Sequence, residues 1–598
     1  MATGGKSGTP GPVEAMLASG LAHHRAGRLG EAAQCYERVL AAEPRHADAL
    51  HLLGVVRHQR GEHASAADLI RRAIALAPRN AAFHSNLGEA LRAMGDLEAA
   101  IKSYRRALAL DSRHAEAHGN LGAALEAQGA RDEAVRHYRR ALQINPTLSE
   151  ARANLGNVLM DQGRLDDAIA AYRAAVAARP DFAHAHNNLG NALKRVGALK
   201  DAEAAFARAL ALAPMDPLSH SNLGTVYQAQ GRLDEAFQCY QRALDLTPDF
   251  AEAHANLGSA HFESGNFDAA TEETERALAL DPGLTRAHLN RALLHLIQGE
   301  LEDGWREFEW RWKWPESRPR SFPKPLWDGG DLAGRSILIH AEQGLGATVM
   351  FLRYVPLVAA RGGQVILDVQ KPLRGLAARL SGVAHLVEDA SRLPRFDCHL
   401  PVLSLPKVFT TALATIPAQI PYLSVDPQRV ALWRQRIGDH GFRVGIAWQG
   451  NPGYGRDRDR SIPSTHYVPL AQVPGVRLIS LQQQHGLEQL AAWPTGVALE
   501  TLAGIDSADF TDTAAAMMSL DLVVTSDTSI AHVAGALGRP VWVALGLVPD
   551  WRWLLARDDS PWYPTMRLFR QPAHGDWGSV FTRLCAELAR RVAEAHKN

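Results

Sequence analysis

The residues with the clearest capacity for chemistry lie between Val524 and Gly538, in VTSDTSIAHVAGALG. The apolar run LDLVV leads into Thr525-Ser526-Asp527-Thr528-Ser529, and IAHVAGAL follows until Gly538 and Pro540 stop it. This order predicts a strand, a tight polar turn and a helix N-terminus. Free backbone N–H groups and the positive end of the helix dipole coincide there, which suits a diphosphate or another anion. Thr528 and Ser529 add hydroxyl donors, and Asp527 can cap the turn or take a sugar hydroxyl. His532 falls one helical turn beyond Thr528, on the same face. An ordinary strand–helix turn capped by Asp or Thr has the same letters. Upstream, Arg456, Arg458 and Arg460 alternate with Asp457 and Asp459. Arginines beside a helix N-terminus can neutralise a leaving phosphate without a metal, and the aspartates read as their partners. No carboxylate pair resembling a DxD metal motif stands at a strand end, so no metal site is expected.

The composition narrows the function classes. Lys+Arg and Asp+Glu are both 64 in 598 residues, so no bulk field attracts nucleic acid. With 46% apolar and 21% charged residues the chain reads as soluble and globular. Cys35, Cys239, Cys398 and Cys585 are far apart, which argues against a zinc site or disulfide framework and suits a reducing cytoplasm. Residues 1–12 have no apolar core and read as a disordered leader, and no run of ~18 apolar residues predicts a membrane span.

The elements that would position these groups fall into two halves. From Val13 the chain repeats every 34 residues, with units starting at Ala47, Ala81, Ala115, Ser149, Ala183, Pro217 and Ala251 and a degenerate ninth at Thr285. Each unit reads as two amphipathic helices. Gly54, Gly88, Gly122, Gly156, Gly190, Gly224 and Gly258 recur in the first helix, and Ala66, Ala100, Ala134, Ala168, Ala202, Ala236 and Ala270 in the second. Tyr104, Tyr138, Tyr172, Phe206 and Tyr240 fill the gap beside them. Period and pattern match a tetratricopeptide array, eight units plus the ninth over residues 13–298, which would stack into an all-α superhelix with a groove for an extended peptide. Asparagine holds the sixth position of seven successive units: Asn86, Asn120, Asn154, Asn188, Asn222, Asn256 and Asn290. A carboxamide offers a donor and an acceptor, so this ladder could grip a peptide backbone; asparagine is also frequent there in generic units. The arrangement resembles the asparagine ladder of the protein O-GlcNAc transferases. His84, His118, His186, His220, His254 and His288 lie two positions earlier; packed helices sit too far apart for them to share a metal, and they read as surface or groove residues.

Residues 299–335 form a Trp/Pro-rich junction in which Trp305, Phe308, Trp310, Trp312, Trp314 and Trp327 crowd together and prolines from Pro315 onward forbid a helix. An aromatic plug joining the last repeat to the next domain is the simpler reading; a sugar-stacking platform is the alternative. From Ser336, short apolar strands alternate with helices, which predicts parallel sheets in two Rossmann-like α/β lobes over 336–425 and 426–598. The predicted strands are SILIHAEQG (a strand with its turn), QVILDV and VAHLVED, then RVGIAWQG, VRLISLQ, VALET, LDLVVTSD and PVWVAL. FDCHLPVLSLPKVF reads as a connection, and the last helix, SVFTRLCAELARRVAEA, as packing back across the lobes. Ligands in such sheets bind at the carboxyl ends of the strands.

The segments WQGNPGYGRDRDRSIP, SLQ, DFTDTAAAMMSLDLVVTSDTSIAHVAGALGRPVWV and DWRWLLARDDSPWYPTMRLFRQPAHGDW resemble the C-terminal domain of bacterial tetratricopeptide glycosyltransferases. That domain is related to the heptosyltransferases of glycosyltransferase family 9 and has the GT-B fold. The resemblance implies an inverting, metal-independent transferase, with no cofactor beyond a nucleotide-sugar donor bound mainly by the C-terminal lobe. It places Asp527, Thr528, Ser529 and His532 at the donor-phosphate turn and Trp448, Gln449, Gly450 and Asn451 at the strand-end turn facing the donor. Arg460 falls near a basic phosphate ligand, and Gln482 and Gln483 where the nucleoside is held. Relatives of this architecture include flagellin O-glycosyltransferases, in which the repeats engage flagellin and the catalytic domain adds a nonulosonic acid.

One position departs from the family. In HAEQGLGATVMFLRY the family carries an aspartate, used by heptosyltransferases as general base, where this chain has Ala347. A methyl group cannot take a proton. Either Glu342, His340 or His532 serves instead, or the chain is catalytically impaired. Gly344 and Gly346 still permit close approach of a ligand. The expectation is a protein O-glycosyltransferase that transfers a sugar from a nucleotide-sugar donor (CMP-nonulosonic acid, or else an ADP- or UDP-sugar) to Ser/Thr of a flagellin-like acceptor. The alternatives are a lipopolysaccharide or glycan heptosyltransferase-like enzyme and a binding or chaperone protein with a vestigial transferase domain.

Overall fold

A computed structural model describes residues 11–314, 320–453, 455–505 and 508–597. Most of the leader and the start of the proline-rich part of the junction, Pro315 included, lie outside the described residues. Leader and helix meet earlier than the sequence suggests, because Pro12 occupies the first turn of the first helix, Pro12–Arg25, where its missing N–H costs nothing. The chain divides into two compact units, Met1–Leu246 and Thr247–Asn598.

The first unit consists of helical hairpins. Their first helices start at Pro12, Ala47, Ala81, Ala115, Ser149, Ala183 and Pro217, each followed by a second helix of 14 residues. The small-residue pattern has a direct steric cause. A Cβ on Gly88 would lie 2.5 Å from Tyr104 Cε1, and one on Gly156 would lie 2.6 Å from Tyr172 Cε1. The aromatic rings are fully buried against those glycines.

Both conspicuous polar positions of the repeat turn out to serve the array itself. The Nε2 atoms of His84, His186, His220, His254 and His288 lie 2.9–3.1 Å from the carbonyl oxygens of Pro78, Pro180, Pro214, Pro248 and Pro282, six residues earlier. His118 makes the same bond to Ser112 at 3.3 Å. The histidines therefore pin the inter-repeat turn, and His118 and His288 are buried rather than on the surface. The asparagines reach back one repeat. Asn86 Nδ2 donates to His51 Nε2 (2.7 Å), Asn188 to Asn157 Oδ1 (2.9 Å), Asn222 to Asn187 Oδ1 (3.1 Å) and Asn290 to the Ala255 carbonyl (2.7 Å). Asn154 faces the Tyr138 hydroxyl of the preceding hairpin, Asn120 is half-buried, and Asn256 is buried. At the bonded positions one of the two Nδ2 donors is spent on the neighbouring hairpin.

The second unit opens with two more hairpins, Ala251–Ser264 with Phe267–Leu280 and Thr285–Gln298 with the short Leu301–Phe308. The junction's aromatics pack inside this unit. Trp305 and Trp327 are buried, and Trp310 stacks on His288 at 3.5 Å between centroids. Two parallel sheets follow. The first contains β1 (Ser336–His340), β2 (Gln364–Asp368), β3 (Val383–Leu386) and β4 (Cys398–Pro401), in the order β3-β2-β1-β4. The second contains β5 (Phe442–Ala447), β6 (Val476–Ser480), β7 (Glu500–Thr501), β8 (Leu522–Ser526), β9 (Val541–Leu545) and β10 (Met566–Arg570), in the order β10-β9-β8-β5-β6-β7. Numbered from its own first strand the second sheet reads 3-2-1-4-5-6, the doubly wound order. The order reverses between β1 and β4 and between β5 and β8, which opens a crevice at the carboxyl ends of those strands.

Three sequence expectations are corrected here. FDCHLPVLSLPKVF contains β4, whose terminal Pro401 is tolerated because β4 is an edge strand of its sheet. The segment around MRLFR supplies the unforeseen β10. The last helix does not cross the lobes: over Trp577–Ala595 it buries Val580, Phe581, Leu584, Leu588 and Val592 with Phe442, Val444 and Trp542 of the second sheet. Helices that matter for the site are α1 (Leu345–Phe351), α2 (Phe510–Met517), α3 (Ser529–Ala536) and α4 (Trp577–Ala595). No helix among the described residues is long and apolar enough to cross a membrane.

Candidate functional site

A cavity of about 580 Å³ lies where the carboxyl ends of the two sheets meet. One wall is Gln343–Ala347, the turn from β1 into α1; the other comes from segments following β5, β6, β7, β8 and β9. α1, α2 and α3 all begin at this cavity, through Leu345, Phe510 and Ser529. Three helix N-termini aimed at one space make it favourable for negative charge.

The turn after β8 has the predicted form. β8 is buried along its whole length, and Thr528 is the N-cap of α3 with extended backbone and no side-chain cap bond. Asp527 does not cap the helix. It lines the cavity almost fully buried, and burial together with the nearby Asp550 pushes its carboxyl up to about 6, against the pull of Arg460 and Arg552. His532 lies one turn along α3, 4% exposed, with Nδ1 3.0 Å from the Tyr563 hydroxyl and its ring stacked on Trp553. Burial, then Arg552, Arg353 and Arg460, hold its pKa well below the ordinary value, so the ring is neutral at physiological pH. Gly346 packs directly against it: a Cβ there would lie 2.7 Å from His532 Cδ2. Gly344, by contrast, has open space where a Cβ would go.

The strand-end turn after β5 is held by a polar chain. Arg460 Nε donates to Asp457 Oδ1 (3.0 Å), Ser461 Oγ donates to Asp457 Oδ2 (2.9 Å), and the Gly450 N–H donates to Ser461 Oγ (3.1 Å). A Cβ on Gly450 would sit 2.5 Å from Asp457 Oδ1. Gln449, Gly450, Asn451 and Arg460 line the cavity. Trp448 does not: its ring is in the core of the second sheet and its Nε1 donates to the Gly486 carbonyl. Gln482 reaches the cavity with Gln483, but its carboxamide is occupied. Its oxygen accepts from the N–H groups of Trp448 and Gln449, and its nitrogen donates to the carbonyls of Gln449 and His485. It is a strut for the turn rather than a hand on a nucleoside.

Of the four positions considered for the base, the structure brings two to the cavity, Ala347 and His532. Glu342 is turned away. Its carboxylate receives Arg311 Nε and Nη2, both at 2.9 Å, and the Leu403 N–H at 3.2 Å. His340 is 2% exposed beside His399 and Phe322, where burial drives its pKa down to about 3. Sequence reasoning assigned no role to Asp550, Arg552, Asp509 or Thr513, which also line the cavity. Asp550 accepts from the Arg552 backbone (3.0 Å) and pairs its guanidinium (2.8 Å), and Asp509 caps α2 through Thr511 N. The DWR triplet after β9 and the DFTDT run that opens α2 carry that signal.

Family models match the repeats. A tetratricopeptide repeat model matches residues 8–81, a TPR repeat model residues 88–129, and the model of the cilia and flagella-associated protein 70 C-terminal domain residues 116–304. Protein FlbA of Caulobacter vibrioides is 31% identical over 318 residues, 48% of this chain and 52% of FlbA, so the match spans about half the length of that relative. Among solved structures, MamA is 29% identical over 27% of this chain and 95% of its own, with a TM-score of 0.26. YrrB, described as a TPR protein with an unusual peptide-binding site, is 25% identical over 31% of this chain and 96% of its own, with a TM-score of 0.29. The chain thus combines tetratricopeptide repeats with an α/β region built on parallel sheets, and is homologous to Protein FlbA over about half its length.

Proposed function

We propose that this chain is a glycosyltransferase of GT-B type that works in the cytoplasm, taking a nucleotide-sugar into the cavity and transferring the sugar to Ser/Thr of a protein held by the repeats. The observation that carries this reading is the convergence of three helix N-termini, Arg460 and Arg552 on one 580 Å³ cavity at the order reversals of two parallel sheets. The helix starts and the two guanidinium groups suit a diphosphate or phosphate–carboxylate donor. The resemblance of the C-terminal segments to tetratricopeptide glycosyltransferases points the same way and suggests a flagellin-like acceptor.

In the reaction so read, the acceptor oxygen forms a bond to the anomeric carbon as the bond from that carbon to the donor phosphate breaks. The leaving phosphate takes the electron pair and is stabilised by the start of α3 and by Arg460 and Arg552. The hydroxyl proton passes to Nε2 of His532, the ring nitrogen not bonded to Tyr563, late in the transfer, because burial leaves this ring a weak base. Ala347 favours a second reading, in which the cavity retains nucleotide binding but has lost turnover.

The test is intact mass of a flagellin co-expressed with a donor-synthesis pathway and either the natural chain, His532→Ala or Ala347→Asp. The proposal expects a sugar mass with the natural chain and none with His532→Ala. A sugar mass only with Ala347→Asp would favour the second reading, and none in any arm would refute the flagellin assignment.

A further inference from the structure

We infer that the ninth helical hairpin sets the position of both walls of the cavity, with Arg311 and Trp305 as positioning residues. Two independent contacts lead there. The wall Gln343–Ala347 is entered through Glu342, whose carboxylate is gripped in bidentate fashion by Arg311, from the turn that closes the hairpin. Arg311 is 6% exposed and saturated: Nη1 also donates to the Phe308 carbonyl and Glu309, and Nη2 to Ser404 Oγ. A buried, fully bonded guanidinium has one low-energy position, and so has the carboxylate it holds. The opposite wall contains Asp550 and Arg552, which flank Trp551. Trp305, on the hairpin's second helix, packs edge-on against Trp551 (centroids 5.1 Å apart) and against Phe351 at the end of α1 (5.9 Å), and its indole N–H donates to the Thr411 carbonyl. One short helix thus braces a residue on each side of the space.

Neither Arg311 nor Trp305 lines the cavity, so each acts through Glu342, Phe351 or Trp551. The functional consequence rests on reading the cavity as the donor site; the positioning role does not. It predicts that a change in the last repeat alters donor affinity although no ligand atom touches that repeat.

Hydrogen exchange of the full chain tests it. Arg311→Met should speed exchange of 342–351 by about tenfold or more, as expected when one partner of a buried pair is removed. Arg311→Lys should fall between. Trp305→Phe, the milder companion, should loosen 550–553 as well as 342–351 and leave 47–212 unchanged. Unaltered exchange at 342–351 in a folded Arg311→Met chain would overturn the inference, as would exchange in Arg311→Lys as fast as in Arg311→Met. Protection of 343–347 and 527–530 by CMP, UDP or ADP is read separately on the natural chain. Its absence would count against the donor reading while the variant comparison still decides the positioning role.

Discussion

At the scale of single residues, the site is governed by burial acting on a few ionisable groups. Asp527 is raised from 3.8 to about 6, so the folded chain binds more protons than the unfolded one between those values. Its contribution therefore favours the fold below about pH 4 and is lost as pH rises through 6. A protonated Asp527 also repels a phosphate less. Affinity for an anionic nucleotide should fall as pH rises through about 6, and Asp527→Asn should flatten that dependence in a calorimetric titration. Gly346→Ala should displace His532, since the added methyl would stand 2.7 Å from its ring. We expect a loss of about 1–3 kcal/mol in a urea melt together with loss of transfer. The turn after β8 was legible because its polar residues follow an apolar strand and precede a helix. The roles of Glu342 and Gln482 were not, since only the fold brings Arg311 to the first and two backbone N–H groups to the second.

At the scale of elements, the repeat is legible to the residue because one steric rule, glycine against a ring, recurs at a fixed spacing. What the spacing could not reveal is that the polar ladders face the neighbouring hairpin. His220→Ala removes the bond to the Pro214 carbonyl, and Asn222→Ala the one to Asn187. Each should cost about 1 kcal/mol of stability in urea denaturation. In the second half, β4 and β10 escaped notice because one is four residues long and ends in proline, and the other is broken by arginines at its second and last positions. Both are identified by their pairing with β1 and β9 rather than by pattern.

At the scale of the molecule, compactness divides the chain between Leu246 and Thr247 and not where the repeat pattern ends. The last two hairpins share a core with the α/β region: Phe262, Leu296, Trp305 and Phe351 belong to one buried cluster. A fragment of residues 247–598 should therefore melt cooperatively. One starting at residue 299 should not, because it exposes the partner surface of Trp305 and Leu301. Circular dichroism of the two fragments distinguishes these outcomes.

The cavity between the two parallel sheets is proposed to hold a nucleotide-sugar by its phosphate at the start of α3. Calorimetric titration of the full chain with CMP, UDP and ADP, repeated on Arg460→Ala, tests it most directly. Saturable binding of at least one nucleotide is expected, weakened about tenfold or more by the variant through loss of a charge-assisted hydrogen bond to phosphate. Absence of binding by all three, or binding indifferent to Arg460, would contradict it.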